Sequence, residues 1–207
     1  MKKYIWTFMA LLVAAVPASG QTIFVRGGLN MTTLGGADVV DASSRTGTNL
    51  GAAVVFPMGG ASLDLGLAWS TRGAKMTEGT TELDFALGYL EVPVLFRFGP
   101  ASSGSAAFHV AVGPTLGFNM GCTMSATGVE IDCGSGSQFD LNIAGMDFGL
   151  TGGAGVDVQA GSMVVGIDAL YTFGMKTIDG DTQGTGGIED IKNRGFTLSV
   201  GLGFPMK

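Results

Sequence analysis

The chain contains a single histidine, His109, among its 207 residues, so a charge-relay hydrolase would have to be built around it. Such a site would also need a serine from another segment, and Ser70 and Ser199 are the candidates. Neither serine lies in a G-x-S-x-G turn, the strained bend that exposes the nucleophile in many hydrolases. No glycine-rich phosphate loop opens a helix either. The residues therefore predict no enzyme and imply no cofactor.

The two cysteines, Cys122 and Cys133, lie close together in sequence, in a segment that we interpret as a long loop. Disulfides persist in exported proteins, and a leader segment described below indicates export. A zinc site is the alternative, but two cysteines without clustered histidines make a poor one. We therefore predict a Cys122–Cys133 disulfide and no metal.

A second loop, Asp179 to Asp190, carries acidic residues at spacings that resemble a calcium-binding loop. Gln183 replaces an expected oxygen ligand of higher charge, and Asp190 replaces the usual bidentate glutamate. Strands rather than helices are expected on both sides. We interpret this segment as a solvated acidic loop, with weak divalent-cation binding as the alternative.

The remaining chain is dominated by alternation of apolar and small or polar residues, which is typical of strands with two unlike faces. The segment Phe196 to Phe204 shows it most clearly, with Phe, Leu and Val at every even position and Thr, Ser and Gly between them. Eight segments follow the pattern: Ile23–Asn30, Leu50–Phe56, Leu63–Ser70, Tyr89–Phe98, Phe108–Asn119, Phe148–Gln159, Met163–Gly174 and Phe196–Phe204.

The connections between these segments alternate between long and short, so long connections fall at one end of the sheet. Residues 31–46, 71–84, 121–145 and 175–192 are expected to be long loops, and the other connections short turns. A soluble lipocalin-like barrel would enclose an apolar cavity, whereas here the opposing face is small and polar. The sequence predicts an all-β, eight-stranded antiparallel up-and-down transmembrane β-barrel with short periplasmic turns and long extracellular loops.

The polar face of the predicted barrel carries a set of charged residues that would meet in a narrow lumen: Arg26, Asp64, Glu91, Arg97, His109, Asp157 and Asp168. Charges in a confined low-dielectric space must pair or become neutral. We interpret the set as a polar plug of ion pairs. A selective conduit is the alternative, because the carboxylates outnumber the arginines.

The N-terminus predicts export to the cell envelope. Lys2 and Lys3 precede an apolar stretch that ends at Pro17 and small residues, the pattern of a secretory signal peptide. We expect residues 1–20 to be removed and residues 21–207 to form the barrel; an uncleaved anchor is the alternative. The net charge of −6, with no basic cluster in the barrel region, argues against a nucleic-acid partner.

Two stretches resemble a known family. The sequence YLEVPVLFRF (Tyr89 to Phe98), and less specifically GGLNMTTL (Gly27 to Leu34), are similar to motifs of PorT-like outer-membrane β-barrel proteins. This resemblance implies a bacterial outer-membrane location and, for one family member, a link to protein secretion. It carries over no catalytic residue. The last strand ends in Pro205, Met206 and Lys207 rather than on Phe204, a departure from the usual signal for barrel insertion.

These observations together predict a small cell-envelope barrel with a plugged polar lumen and a structural or surface-interaction role. A narrow solute or ion channel and a secretion-associated PorT-like factor are the alternatives. The expected partners are outer-membrane lipid, the barrel-assembly machinery, and an extracellular or envelope protein that contacts the long loops.

Overall fold

The computed structural model describes residues 20–35, 42–78, 81–99, 105–133, 143–176 and 191–206. The predicted signal peptide, apart from Gly20, and the Asp179–Asp190 loop lie outside these residues. The described residues form nine strands: β1 (Thr22–Gly35), β2 (Ala42–Pro57), β3 (Ala61–Glu78), β4 (Thr81–Phe98), β5 (Ala106–Ala126), β6 (Val129–Asp132), β7 (Met146–Ala160), β8 (Met163–Gly174) and β9 (Lys192–Pro205). The described residues include no helix long and apolar enough to cross a membrane.

Eight of these strands close into an antiparallel barrel. Each barrel strand pairs with the next one along the chain, and β1 pairs with β9 to complete the ring. The strand β6 is additional, because it pairs with the end of β5 through the Thr127–Gly128 turn. The prediction of an eight-stranded up-and-down barrel is confirmed.

The two faces of the sheet follow the predicted alternation. Apolar side chains such as Val200 are exposed on the outside, whereas Phe24 and Arg97 are buried inside, each 5% exposed or less. Small residues let the strands approach one another within the narrow ring. A Cβ atom at Gly113 would overlap the Val94 carbonyl oxygen of the adjacent strand, so glycine is required there.

Several barrel strands continue beyond the expected length at the end that carries the long connections. Residues of β3 and β4 remain paired from Thr71↔Gly88 to Glu78↔Thr81, so only residues 79–80 connect them. The prediction of a long loop over residues 71–84 is therefore wrong. Residues 31–35 and 42–46, also expected in a loop, are strand as well. We call the extended parts of β3, β4 and β5, together with β6, the rim wall (residues 72–78, 81–88, 120–126 and 129–132).

The strands of the rim wall were not recognised in the sequence because the polarity of their two faces is the reverse of that in the rest of the barrel. In the membrane-facing part of the barrel the outer face is apolar, but in the rim wall Ala74 and Leu87 point inward and are fully buried. The outer face there carries Lys75 and Asp84 instead. A bulge at Met120 on β5 contributes to the change of phase. An apolar pattern that changes phase within one strand is easily taken for the end of that strand.

Candidate functional site

The lumen near the short-turn end contains a network of charged side chains from six different strands. We call it the basal ion cluster, and its members are Arg26 on β1, Asp64 on β3, Arg97 on β4, His109 on β5, Asp157 on β7 and Asp168 on β8. All six were predicted to face the lumen, and the barrel geometry brings them into contact because each lies on the inward face of its strand.

Arg26 and Asp64 form the shortest ion pair in the basal ion cluster. Arg26 Nη2 donates to Asp64 Oδ2 at 2.6 Å, and Nη1 donates to Oδ1 at 3.1 Å. This two-point geometry matches the planar fork of guanidinium to the two oxygens of a carboxylate. The ring of Phe24 lies beside both arginines, with its centroid 4.9 Å from the Arg26 Cζ atom and 5.9 Å from that of Arg97.

Arg97 lies at the centre of the network and contacts several acids at once. Its Nη2 atom is 3.1 Å from Asp157 Oδ2 and 3.6 Å from Asp168 Oδ1, and its Nη1 atom is 3.8 Å from Asp64 Oδ2. The Arg97 side chain is 5% exposed, whereas that of Asp157 is 23% exposed. Asp157 is therefore the acid of this group that water reaches most easily.

His109 connects Arg97 with Asp168. Its Nε2 atom lies 2.8 Å from Asp168 Oδ1 and 2.6 Å from Arg97 Nη2. A Cβ atom on Gly155, the residue opposite His109 on β7, would come 2.6 Å from the same nitrogen, so glycine leaves room for the ring. His109 is therefore a member of the ion network.

Glu91, which was predicted to join these six residues, lies in a separate layer. It accepts a hydrogen bond from Arg72 Nε at 2.5 Å, and both side chains are buried. Arg72 was missed because the expected loop over residues 71–84 contained it. The sequence could have indicated it, because Arg72 lies two residues beyond Ser70 and so continues the series of inward-facing positions on β3.

A polar band connects the two charged layers. The hydroxyls of Thr115, Thr151 and Thr172 are linked in series, with oxygen–oxygen distances of 2.7 and 2.9 Å. A cavity of about 70 Å³ adjoins this band and extends from Arg26 to Glu91. Its volume, together with the threonine hydroxyls and charged groups that line part of it, suits several ordered water molecules.

Above the Arg72–Glu91 layer, Asn193 links two buried side chains. Its amide nitrogen donates to Tyr89 Oη at 3.1 Å and to Asp147 Oδ2 at 2.9 Å. None of these three residues is among the lumen residues predicted from the sequence. Asp147 and Asn193 lie between the expected loops and the expected strands that follow them, in stretches assigned to neither, so their inward direction was not apparent.

The interior at the long-loop end is apolar. We call this part the apolar cap, and its buried members are Leu34, Ala74, Leu87, Tyr89, Cys122 and Cys133. Cys122 and Cys133 form a disulfide with a Cα–Cα distance of 5.1 Å, as predicted. The expected position of Cys122 in a loop is wrong, because Cys122 belongs to β5, pairs with Leu87 of β4 and points inward beyond the Met120 bulge.

The short-turn end is more open. Two clefts of about 190 and 240 Å³ are lined in part by Arg97 and Asp157, and His109 lines the larger one. Among the described residues, no group of three or more His, Cys, Asp or Glu side chains is arranged to hold a metal ion.

An antiparallel eight-stranded barrel with an apolar outer belt and charged side chains inside defines a small outer-membrane β-barrel protein. Residues 20–180 match the family described as outer membrane protein beta-barrel domain. The chain belongs to this family, and it is a bacterial outer-membrane protein. No curated protein matches the sequence.

Two solved structures align with most of the chain. Neisserial surface protein A (NspA) aligns with a TM-score of 0.51 and 12% identity, covering 89% of this chain and 97% of that one. Ail, the attachment invasion locus protein of Yersinia pestis, aligns with a TM-score of 0.46 and 15% identity, covering 90% of this chain and 100% of that one, in a complex with the heparin analogue sucrose octasulfate. At 12% identity the similarity to NspA concerns the fold alone.

Proposed function

We propose that this protein is an outer-membrane scaffold with a lumen closed to ions, which presents its rim wall at the cell surface. The observation that carries the proposal is the stacking of three obstacles along one narrow barrel. These are the basal ion cluster, the Arg72–Glu91 pair and the apolar cap. Eight strands enclose a space that side chains can fill, which favours a closed interior.

The orientation follows the general rule for outer-membrane barrels, in which short turns face the periplasm and longer connections face outward. Under this rule the rim wall projects from the cell, and its polar outer face carries the Lys75–Glu82 ion pair and Asp84, which pairs with Arg45 of β2. A polar sheet above the membrane is suited to contact an extracellular or envelope protein.

A structural role rather than catalysis is supported by the surroundings of His109. Both ring nitrogens of His109 lie close to Arg97, and Nε2 also lies within hydrogen-bonding distance of Asp168. A general base needs a nucleophile within reach of one nitrogen, and none of the contacts described for His109 is a hydroxyl group.

The narrow channel remains a second candidate because three aspartates face two arginines in the basal ion cluster, and because the clefts give water access to Asp157. An excess of carboxylates would favour cations. A secretion-associated role of the PorT kind is supported only by the similarity of the segment YLEVPVLFRF, from Tyr89 to Phe98, to motifs of PorT-like proteins.

Planar-bilayer recording of the refolded full-length barrel tests the proposal. We expect no steady current from the wild-type protein at either polarity. A matched control is the double variant Arg72→Ala with Arg97→Ala, which removes one arginine from each charged layer. Because Arg26 and the apolar cap remain, it should show brief current events more often than the wild-type protein but no steady current. A steady, cation-selective wild-type current would overturn the closed scaffold and establish the channel.

A further inference from the structure

One arginine lies on the outside of the barrel, at the border between the apolar belt and the long-loop end. Arg194 of β9 occupies the same face as Phe196 and Leu198, which point outward. Its neighbours in the sheet are Thr33 on β1 and Phe173 on β8. The Arg194 Cζ atom lies 5.3 Å from the centroid of the Phe173 ring.

Arg194 differs from the other four arginines of the chain, Arg26, Arg45, Arg72 and Arg97, each of which has a carboxylate partner. Within the described part of the chain, no carboxylate forms an ion pair with Arg194. Its Nε atom is buried and has no hydrogen-bond acceptor there. Stacking on Phe173 holds the guanidinium group against the barrel, where no carboxylate of the described residues pairs with it.

The surroundings of Arg194 match the headgroup depth of a membrane. Tyr171, Phe173 and Phe196 are large aromatic side chains on the lipid-facing surface, each at least 40% exposed. Aromatic residues of this kind form the interfacial girdle of outer-membrane barrels. Lys176, which is exposed, follows the end of β8 closely and adds positive charge at the same end of the barrel.

We propose that Arg194, supported by Phe173, binds the phosphate group of a membrane lipid in the leaflet at the long-loop end. A phosphate offers several oxygens to the planar guanidinium fork, and the acyl chains of the same lipid would lie along the apolar belt below it. A site on the lipid-facing surface favours a lipid over a soluble anion, because the ligand must reach the arginine from the bilayer. The proposal does not depend on whether the lumen is closed.

Native mass spectrometry of the refolded full-length barrel, titrated with lipid A that retains both phosphates, tests this site. Arg194→Gln should weaken binding about tenfold, as expected for the loss of one charge-assisted contact with phosphate. Arg194→Lys should recover part of the affinity, since it keeps the charge but loses the fork. The matched control Arg45→Gln removes the same charge from β2 at the long-loop end, where Arg45 pairs with Asp84 instead of facing the bilayer, and should change binding less than about twofold.

Two further arms identify the ligand. Lipid A without phosphates should bind wild-type protein and Arg194→Gln equally, because the proposed contact is then absent. Inorganic phosphate should compete only weakly, since it lacks the acyl chains. Equal binding of phosphorylated lipid A by wild-type protein and Arg194→Gln would overturn the site, and competition by inorganic phosphate at the affinity of the lipid would overturn the lipid as its ligand.

Discussion

The substitution Arg97→Ala should strongly destabilise the barrel, because Arg97 is the cation shared by three aspartates. Its removal leaves Asp64, Asp157 and Asp168 with Arg26 and His109 alone. Removing one partner of a buried ion pair costs about 3 to 5 kcal/mol. Asp157 is 23% exposed and can be solvated, so we expect the lower end of that range, about 3 kcal/mol.

The assay is equilibrium urea unfolding of the barrel refolded in phospholipid vesicles, followed by the fluorescence of Trp69. Of the two tryptophans, Trp69 is the one outside the predicted signal peptide, and it faces the lipid at 47% exposure. The free energy of unfolding is obtained from the linear dependence on urea concentration. Arg45→Ala is the matched control, because it breaks the partly exposed pair with Asp84 and should cost about 1 kcal/mol or less.

The same variant also tests the series arrangement of the lumen. Arg97→Ala should show no steady current in a planar bilayer, because the Arg72–Glu91 pair and the apolar cap remain above it. Equal unfolding free energies for Arg97→Ala and Arg45→Ala would refute the reasoning. The charges of the basal ion cluster would then be solvated individually rather than stabilised by one another.

Three other predictions concern the belt, the disulfide and the lumen glycine. Val165→Arg, on the lipid-facing side of β8, should lower folding stability in vesicles by about 2 to 4 kcal/mol, whereas Ser125→Arg on the rim wall should have little effect; equal losses would contradict the facing assignment. The double variant Cys122→Ser with Cys133→Ser should lose roughly 3 kcal/mol in the same titration, and intact-mass measurement finding both wild-type thiols free would remove the basis for this expectation. Gly155→Val should lower the thermal midpoint because its side chain would overlap His109, and an unchanged midpoint would show that the ring can move aside.

The alternating residues of the belt could be predicted from sequence because one rule applies along the whole segment. In β9, for example, every even residue from Phe196 to Phe204 points outward as expected. The rim wall could not be predicted in the same way. There the apolar residues change from the outer to the inner face. A prediction that expects apolar residues at the same alternate positions along the whole strand therefore places the end of the strand where this change occurs.

The membership of the ion cluster was predictable, but its internal pairing was not. The alternation predicts that the side chains of Arg26 and Asp64 both point inward, which brings them into one lumen. Their contact depends in addition on the stagger between β1, β2 and β3. The register between β3 and β4 likewise separates Glu91 from the basal ion cluster and places it beside Arg72. Cys122 was misplaced because a single bulge at Met120 changes which residues point inward, and the sequence has no strong signal for that bulge.

The reversed polarity of the rim wall has a kinetic consequence for insertion. For the long-loop end to reach the far side of the membrane, the outward-facing charges of Arg45, Lys75, Glu82 and Asp84 must cross the hydrocarbon layer. An exposed basic residue costs about 2 to 4 kcal/mol at the bilayer midplane, and acidic residues cost less. Spontaneous insertion therefore faces a high barrier, which a catalyst of assembly would lower. The same barrier opposes the return of the rim, so an inserted barrel keeps its orientation for as long as it remains folded.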